Sequence, residues 1–159
     1  MTARPVLVTL TVLAALMLVM VPLPDPVEPF RPDWVTMVMI YWAIALPPRF
    51  GLTVPFLAAL LLDVARADLL GQNALGLVFV AALAIQQHQR LRVAPLMQQA
   101  VVVLVLLTLK QLLVLWISGI VDRAGDNLWL HFVSPVVGML FWPVVFVLLR
   151  DLRRRYQPA

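Results

Sequence analysis

The sequence contains no cysteine, only two histidines and few charged side chains. The absence of cysteine from all 159 residues excludes disulfide bonds, thiolate chemistry and cysteine-ligated metal sites. His88 and His131 stand far apart, and no His-x-x-His or His-Glu-x-x-His pattern indicates a metal site. The charges are scattered singly, rather than arranged as paired carboxylates or as a nucleophile beside its base. We therefore expect a protein that is not an enzyme and has no cofactor or metal.

Charged residues make up only 13% of the chain, whereas hydrophobic residues make up 63% and the mean hydropathy is +0.97. A soluble domain has roughly a quarter charged and about half apolar residues. A chain this apolar cannot cover its surface with polar side chains, so lipid must be its main solvent. The formal net charge is +4, and the basic residues are dispersed among apolar runs. This dispersion indicates that they determine the orientation of the helices in the membrane and do not form a nucleic-acid binding surface. We expect membrane lipids as partners and no nucleic acid.

Apolar stretches recur along the chain and are separated by short polar or proline- and glycine-containing connections. Some are long enough to span about 30 Å of hydrocarbon, and the shorter ones require a locally thinner membrane or an extension into their flanking turns. The first stretch has no small-x-small cleavage site after it, so we expect a retained helix rather than a signal peptide. The sequence predicts a single all-α membrane domain over residues 1–159, with helices at approximately 5–21, 32–46, 52–68, 74–87, 97–120 and 132–149.

The arginines distinguish between possible topologies of these helices. Six helices with both termini in the cytoplasm put eight arginines inside and three outside, as the positive-inside rule requires. Five helices would put the two arginine-bearing ends of the chain on opposite sides. The sequence therefore predicts a bundle of six transmembrane helices with short loops in an inner membrane. The inner set is Arg4, Arg49, Arg90, Arg92, Arg150, Arg153, Arg154 and Arg155, and the outer set is Arg31, Arg66 and Arg123.

The second predicted helix begins with Arg31-Pro32-Asp33-Trp34. The proline suits the first helical position, and the aspartate interacts favourably with the positive end of the helix dipole. The tryptophan is placed for the membrane–water interface. Two turns deeper, Tyr41 and Trp42 are large side chains with polar atoms, which usually fill contacts between helices. This pattern fits a well-formed helix start and, equally, a surface that contacts a partner protein.

Charged residues also occur within the third and fifth predicted helices. Asp63, Arg66 and Asp68 lie near the outer end of the third helix, and Lys110 interrupts the fifth. Charges inside a membrane are costly and normally form pairs or face a cavity. Asp63 lies about 18 Å and Lys110 about 20 Å along their helices, so both reach the outer half of the membrane. We predict that Lys110 pairs with Asp63 or Asp68; the alternatives are an unpaired, outward-reaching lysine and a proton or ion relay.

The C-terminal segment Arg150-Asp151-Leu152-Arg153-Arg154-Arg155-Tyr156 is strongly basic. We expect the sixth helix to end before this segment. Its arginines should fix the orientation of the protein on anionic lipids, and contact with a cytoplasmic partner protein is the alternative.

Several of these motifs resemble a known family, that of the rod shape-determining protein MreD. The most specific part is Arg31-Pro32-Asp33-Trp34-Val35, followed by Tyr41-Trp42 and Ala45-Leu46-Pro47. Asp63, Leu70-Gly71, Trp142-Pro143 and the basic C-terminal segment continue the resemblance over nearly the whole chain. The resemblance implies a non-enzymatic membrane scaffold or regulatory component of the bacterial cell-elongation machinery.

The resemblance implies direct binding to MreC, whose periplasmic domain regulates peptidoglycan synthesis. RodA, its partner transpeptidase and MreB would belong to the wider complex. The resemblance also implies a fold similar in outline to the S components of energy-coupling-factor transporters. We expect the partner to contact the outer ends of the second and third helices, near Arg31, Asp33, Asp63 and Arg66.

A second function remains open from the residues alone. The chain could be a small-molecule-binding membrane subunit of a transporter, which requires a polar pocket between helices in the outer half of the bundle. Polar side chains that could line such a pocket are Asp63, Asn73, Lys110 and Gln111.

Overall fold

A computed structural model describes residues 3–22, 24, 30–45, 53–66, 71–120 and 132–156. Within these ranges the protein contains seven α-helices and no β-strand, which confirms the all-helical class for this part of the chain. The predicted turns at 47–51 and 122–127, and residues 69–70 of another, lie outside the described residues. The helices are α1 (Ala3–Met20), α2 (Trp34–Ala45), α3 (Thr53–Arg66), α4 (Gln72–Gln86), α5 (His88–Val93), α6 (Leu96–Ile120) and α7 (Val133–Tyr156).

Two of these helices are long and apolar enough to cross a membrane. Their apolar segments are Leu96–Ile117 in α6, with 22 residues, and Val133–Arg155 in α7, with 23 residues. Four further apolar helices, α1 to α4, are shorter. The 12 residues of α2 extend over only about 18 Å, less than the roughly 30 Å of a hydrocarbon core. The helix lengths are consistent with a membrane protein in which long and short helices pack together.

Helix α2 lies at the centre of the bundle. Every residue from Val35 to Ala45 is buried, and α2 contacts each of the six other described helices. A helix that is hydrophobic around its whole circumference is typical of one that is enclosed on all sides. In this fold the enclosing surface is protein, so α2 organises the packing of its neighbours.

Helices α6 and α7 each turn one apolar face away from the bundle. The exposed residues recur at intervals of four or seven positions, which places them on one side of each helix. Exposed apolar faces of this extent are stable in lipid or against another protein. They comprise Met97, Val101, Val105, Leu112 and Trp116 of α6, and Val136, Leu140, Val144 and Leu148 of α7.

Two helices differ from the sequence-based prediction. The polar connection at 86–92 contains α5, a short helix whose Leu91 is buried in the core. Helix α7 continues through the basic segment to Tyr156, whereas we expected its end at 149. It continues because Leu152 packs against the core, three positions after the buried Leu149 and therefore on the same helical face.

Candidate functional site

Lys110 of α6 forms an ion pair with Asp33, which immediately precedes α2. The lysine side chain is 6% exposed and the aspartate side chain 23%. The Oδ1 atom of Asp33 also accepts a hydrogen bond of 3.3 Å from the backbone N–H of Thr36, so the carboxylate caps the first turn of α2. The ion pair offsets the cost of burying either charge and ties α6 to the start of α2.

The prediction that Lys110 pairs with Asp63 was wrong. Lys110 pairs with Asp33 rather than with Asp63, and Asp68 lies outside the described residues. The prediction placed Asp33 at the membrane surface, as a residue that only begins a helix. Because α2 is short and enclosed, Asp33, the residue before it, lies against the bundle and reaches Lys110.

Gly76 of α4 makes room for the Lys110 side chain. A Cβ atom at position 76 would lie 2.9 Å from Cγ of Lys110 and 3.6 Å from its backbone oxygen. The aliphatic part of the lysine therefore crosses α4 where that helix has no side chain. Small residues at helix contacts allow this kind of close approach.

Asp63 of α3 is fully buried and accepts three hydrogen bonds from the start of α4. The donors are the backbone N–H of Gly71 at 2.9 Å, the backbone N–H of Asn73 at 3.1 Å and the side-chain amide of Asn73 at 2.7 Å. Gly71 is the N-cap residue of α4 and has a φ of 93°, which glycine adopts readily. Since glycine has no side chain to cap the helix, Asp63 supplies the acceptor from the neighbouring helix. Arg66 ends α3, and its side chain lies outside the described part.

Arg31 has a similar role at the end of α1. Its guanidinium group donates hydrogen bonds to the backbone carbonyls of Val19 and Val21. The last carbonyls of a helix lack intrahelical partners, and a cation suits their partial negative charge. The hydroxyl of Ser134, at the start of α7, donates a 2.7 Å hydrogen bond to the backbone carbonyl of Arg31. Pro32, which links Arg31 to Asp33, is buried.

The aromatic candidates lie between helices. Trp34 packs edge-on against Phe141 of α7, with 5.5 Å between ring centroids. Tyr41 packs edge-on against Trp42, with ring centroids 5.2 Å apart. The indole N–H of Trp42 donates a 2.9 Å hydrogen bond to the hydroxyl of Thr11 in α1. Neither Tyr41 nor Trp42 is exposed by more than 2%.

Arg92 of α5 has a structural role that no sequence pattern indicated. Its Nε atom donates a 2.9 Å hydrogen bond to the carbonyl of Ile44, and its terminal nitrogen donates a 2.8 Å hydrogen bond to the carbonyl of Ala45. Arg92 thereby caps the C-terminal end of α2. Ile44 precedes it by 48 positions, so only the tertiary fold brings the two together.

These polar residues connect helices. Asp63 is bonded to Gly71 and Asn73, and Lys110 to Asp33. Among the described residues, no group of three or more histidine, aspartate or glutamate side chains could hold a metal ion. What the arrangement can do is fix the relative positions of α1, α2, α3, α4, α6 and α7.

Comparison with known proteins agrees with the resemblance found in the sequence. The family model of the rod shape-determining protein MreD matches residues 2–152. The rod shape-determining protein MreD of Haemophilus influenzae is 27% identical over 141 residues, which cover 89% of this chain and 86% of that protein. No solved structure matches the chain. The chain therefore belongs to the MreD family of membrane proteins, which act in rod-shape determination.

Proposed function

We propose that this chain is a multi-pass scaffold of the cell-elongation machinery in the bacterial inner membrane. It binds MreC directly and supports lateral peptidoglycan synthesis, with RodA, its partner transpeptidase and MreB in the wider complex. The whole chain forms one membrane domain, in which α1, α2, α3, α4, α6 and α7 cross the membrane and both termini are cytoplasmic. The protein positions its partners and catalyses no reaction.

The observation that carries this proposal is the use of buried charges as links between helices. Asp33 and Lys110 neutralise each other, Asp63 caps α4, and Arg31 caps α1. A ligand-binding subunit or an ion relay needs polar groups that point toward a ligand or an ion path. Here the internal contacts use these groups, and the outward faces of α6 and α7 are apolar. Both features support a rigid scaffold over the alternative of a small-molecule-binding transporter subunit.

We place the contact with MreC at the end of the bundle where α1 ends and α2 begins, on the periplasmic side. Exposed apolar side chains lie there beside Arg31, which holds the segment before α2 against the end of α1. MreC acts largely in the periplasm, so a contact at this end would suit it. The exposed side chains are Met17, Met20, Val21 and Phe30.

The experiment that tests the proposal is affinity purification of the tagged protein from its native membrane in mild detergent. We expect stoichiometric recovery of MreC, together with RodA and its partner transpeptidase. Recovery of an ATPase module without any cell-wall protein would contradict the scaffold function and favour the transporter subunit.

Site-specific photo-crosslinking tests where MreC binds. A photoreactive residue at Met20 or Phe30 should form a crosslink to MreC in growing cells. Met97 is a matched control, because it is 81% exposed and lies at the start of α6, next to the helix that caps the opposite end of α2. Crosslinks to MreC from Met97 but from neither Met20 nor Phe30 would contradict the proposed contact.

A further inference from the structure

One face of α7 changes along its length from buried aromatic rings to guanidinium groups. Trp142 is fully buried, and the ring of Phe146 lies 6.0 Å from it, one helical turn later. One turn further, Arg150 places its guanidinium carbon 5.8 Å from the centroid of Phe146. An arginine over an aromatic face is held by a cation–π interaction, so Arg150 has a defined position.

Two buried hydrogen-bonding atoms beside Phe146 have no partner among the described residues. They are Nε of Arg150 and the hydroxyl of Tyr41, whose ring lies 5.6 Å from that of Phe146. The Oδ1 atom of Asp151 lies 4.0 Å from Nε of Arg150, which is too far for a hydrogen bond. Buried N–H and O–H groups in proteins nearly always have an acceptor. These two donors therefore point to an acceptor that binds beside Phe146.

The charge around this position indicates the nature of that acceptor. The segment from Arg150 to Tyr156 has four arginines and one aspartate, a net charge of +3 from four positive charges and one negative. Arg153 and Arg154 follow Arg150 by three and four positions on α7, so the three side chains lie on one side of the helix. An anionic acceptor would satisfy the unpaired donors and balance the excess positive charge. Phosphate oxygens are the preferred partners of the planar guanidinium group.

We propose that Tyr41, Arg150, Arg153 and Arg154 form a binding site for a phosphate group at the end of α7. The phosphate is carried by an anionic phospholipid of the cytoplasmic leaflet or by a free phosphate. The side chain of Arg150 is 36% exposed although its Nε atom is buried, so part of the guanidinium group is accessible from the membrane surface. The site holds one headgroup in place, beyond the general attraction of a basic segment to an anionic surface. The assignment to the cytoplasmic leaflet rests on the proposed topology.

The test measures lipid binding to the purified, delipidated full-length protein by native mass spectrometry. We expect phosphatidylglycerol to bind and phosphatidylcholine, whose choline neutralises the phosphate, to bind much more weakly. Arg150→Gln should weaken the binding of phosphatidylglycerol about tenfold, as expected when a charge-assisted hydrogen bond is lost. Tyr41→Phe keeps the ring contacts and should weaken it about threefold, through loss of the hydroxyl alone.

The matched control is Arg90→Gln, which removes the same charge from an exposed arginine of α5 and should leave binding unchanged. Competition with inorganic phosphate identifies the source of the bound phosphate group. If inorganic phosphate does not displace phosphatidylglycerol, the site binds the lipid headgroup; if it displaces the lipid fully, the site binds free phosphate. Equal binding of the two lipids, or equal loss in Arg90→Gln and Arg150→Gln, would overturn the proposal. Thermal unfolding of each variant excludes misfolding. Recovery of MreC with Arg150→Gln tests the scaffold function separately.

Discussion

Lys110 and Asp33 form an ion pair although 77 positions separate them in the sequence. The pair joins α6, the longest of the described helices, to the start of the enclosed helix α2. Burial makes the two charges interdependent, because removal of one leaves the other without compensation in a medium that solvates it poorly. The contact thus makes the packing of α2 depend on α6.

The first prediction concerns this pair. Lys110→Met should destabilise the protein by about 3–5 kcal/mol, because the Asp33 carboxylate is left buried and unpaired. The double variant Asp33→Leu with Lys110→Met should recover a large part of this loss, because neither charge then remains. Thermal unfolding in detergent, followed by circular dichroism, measures both effects. A Lys110→Met variant that unfolds at the wild-type temperature would show that the pair contributes no stability.

The second prediction concerns the cap of α4. Asp63→Ala should destabilise the protein by at least about 3 kcal/mol, since each buried donor without an acceptor costs about 1–3 kcal/mol. Asp63→Asn keeps one acceptor oxygen and should cost less. Hydrogen exchange gives a local readout, because the amides of Gly71 and Asn73 should lose their protection first. The control is Asp151→Asn at an exposed carboxylate, and equal effects of Asp63→Asn and Asp151→Asn would argue against the cap.

The third prediction concerns the space at Gly76. Gly76→Ala should cost about 1–3 kcal/mol, because the new methyl group would lie too close to Cγ of Lys110. In a Lys110→Ala background that Cγ is absent, and the same substitution should stabilise the helix by up to about 1 kcal/mol, since alanine is the better helix former. Thermal unfolding of the wild type, Gly76→Ala, Lys110→Ala and the double variant measures how the effect of Gly76→Ala on stability differs between the two backgrounds. The same cost in both backgrounds would show that Lys110 is not the obstacle.

The fourth prediction compares two arginines of α5. Arg92→Ala removes two hydrogen bonds to the end of α2 and should cost about 1.5–3 kcal/mol. Arg90→Ala, two positions earlier and exposed, should change stability by less than about 0.5 kcal/mol. Limited proteolysis near Ala45, together with thermal unfolding, distinguishes the variants. Equal destabilisation by Arg90→Ala and Arg92→Ala would show that the loss of a positive charge, and not the loss of the hydrogen bonds that cap α2, lowers the stability.

The helical class and the family could be recognised in the sequence, but the enclosure of α2 could not. The residues Trp34 to Ala45 form a continuous apolar run, and such a run looks the same whether lipid or protein surrounds the helix. The extent of α7 was underestimated for a related reason. The arginines after residue 149 indicated a helix end, whereas Leu152 continues the buried face beyond it.

The residues of the candidate site could be predicted from the sequence, but the partner of each residue could not. The sequence identifies Asp63 and Lys110 as candidates because charges within a membrane are costly and need partners. Which partner each one takes depends on the depth and tilt of α2, and the spacing of residues along α3 and α6 contains no information about them. Arg92 had no local signal at all, because its partners are backbone carbonyls of α2, which every residue possesses.

The central position of α2 has a consequence for the order in which the chain can mature. In the proposed topology α2 enters the membrane before α6 and α7 are synthesised, because synthesis proceeds from the N-terminus. Asp33 then has no ion-pair partner until Lys110 is synthesised. The carbonyls of Ile44 and Ala45 likewise have no hydrogen-bond donor until Arg92 is synthesised. In that topology the nascent intermediate carries the Asp33 carboxylate without its ion-pair partner and the carbonyls at the end of α2 without their cap during insertion. Truncation before α6 should therefore yield a species that depends on insertases or is degraded, rather than a stable smaller bundle.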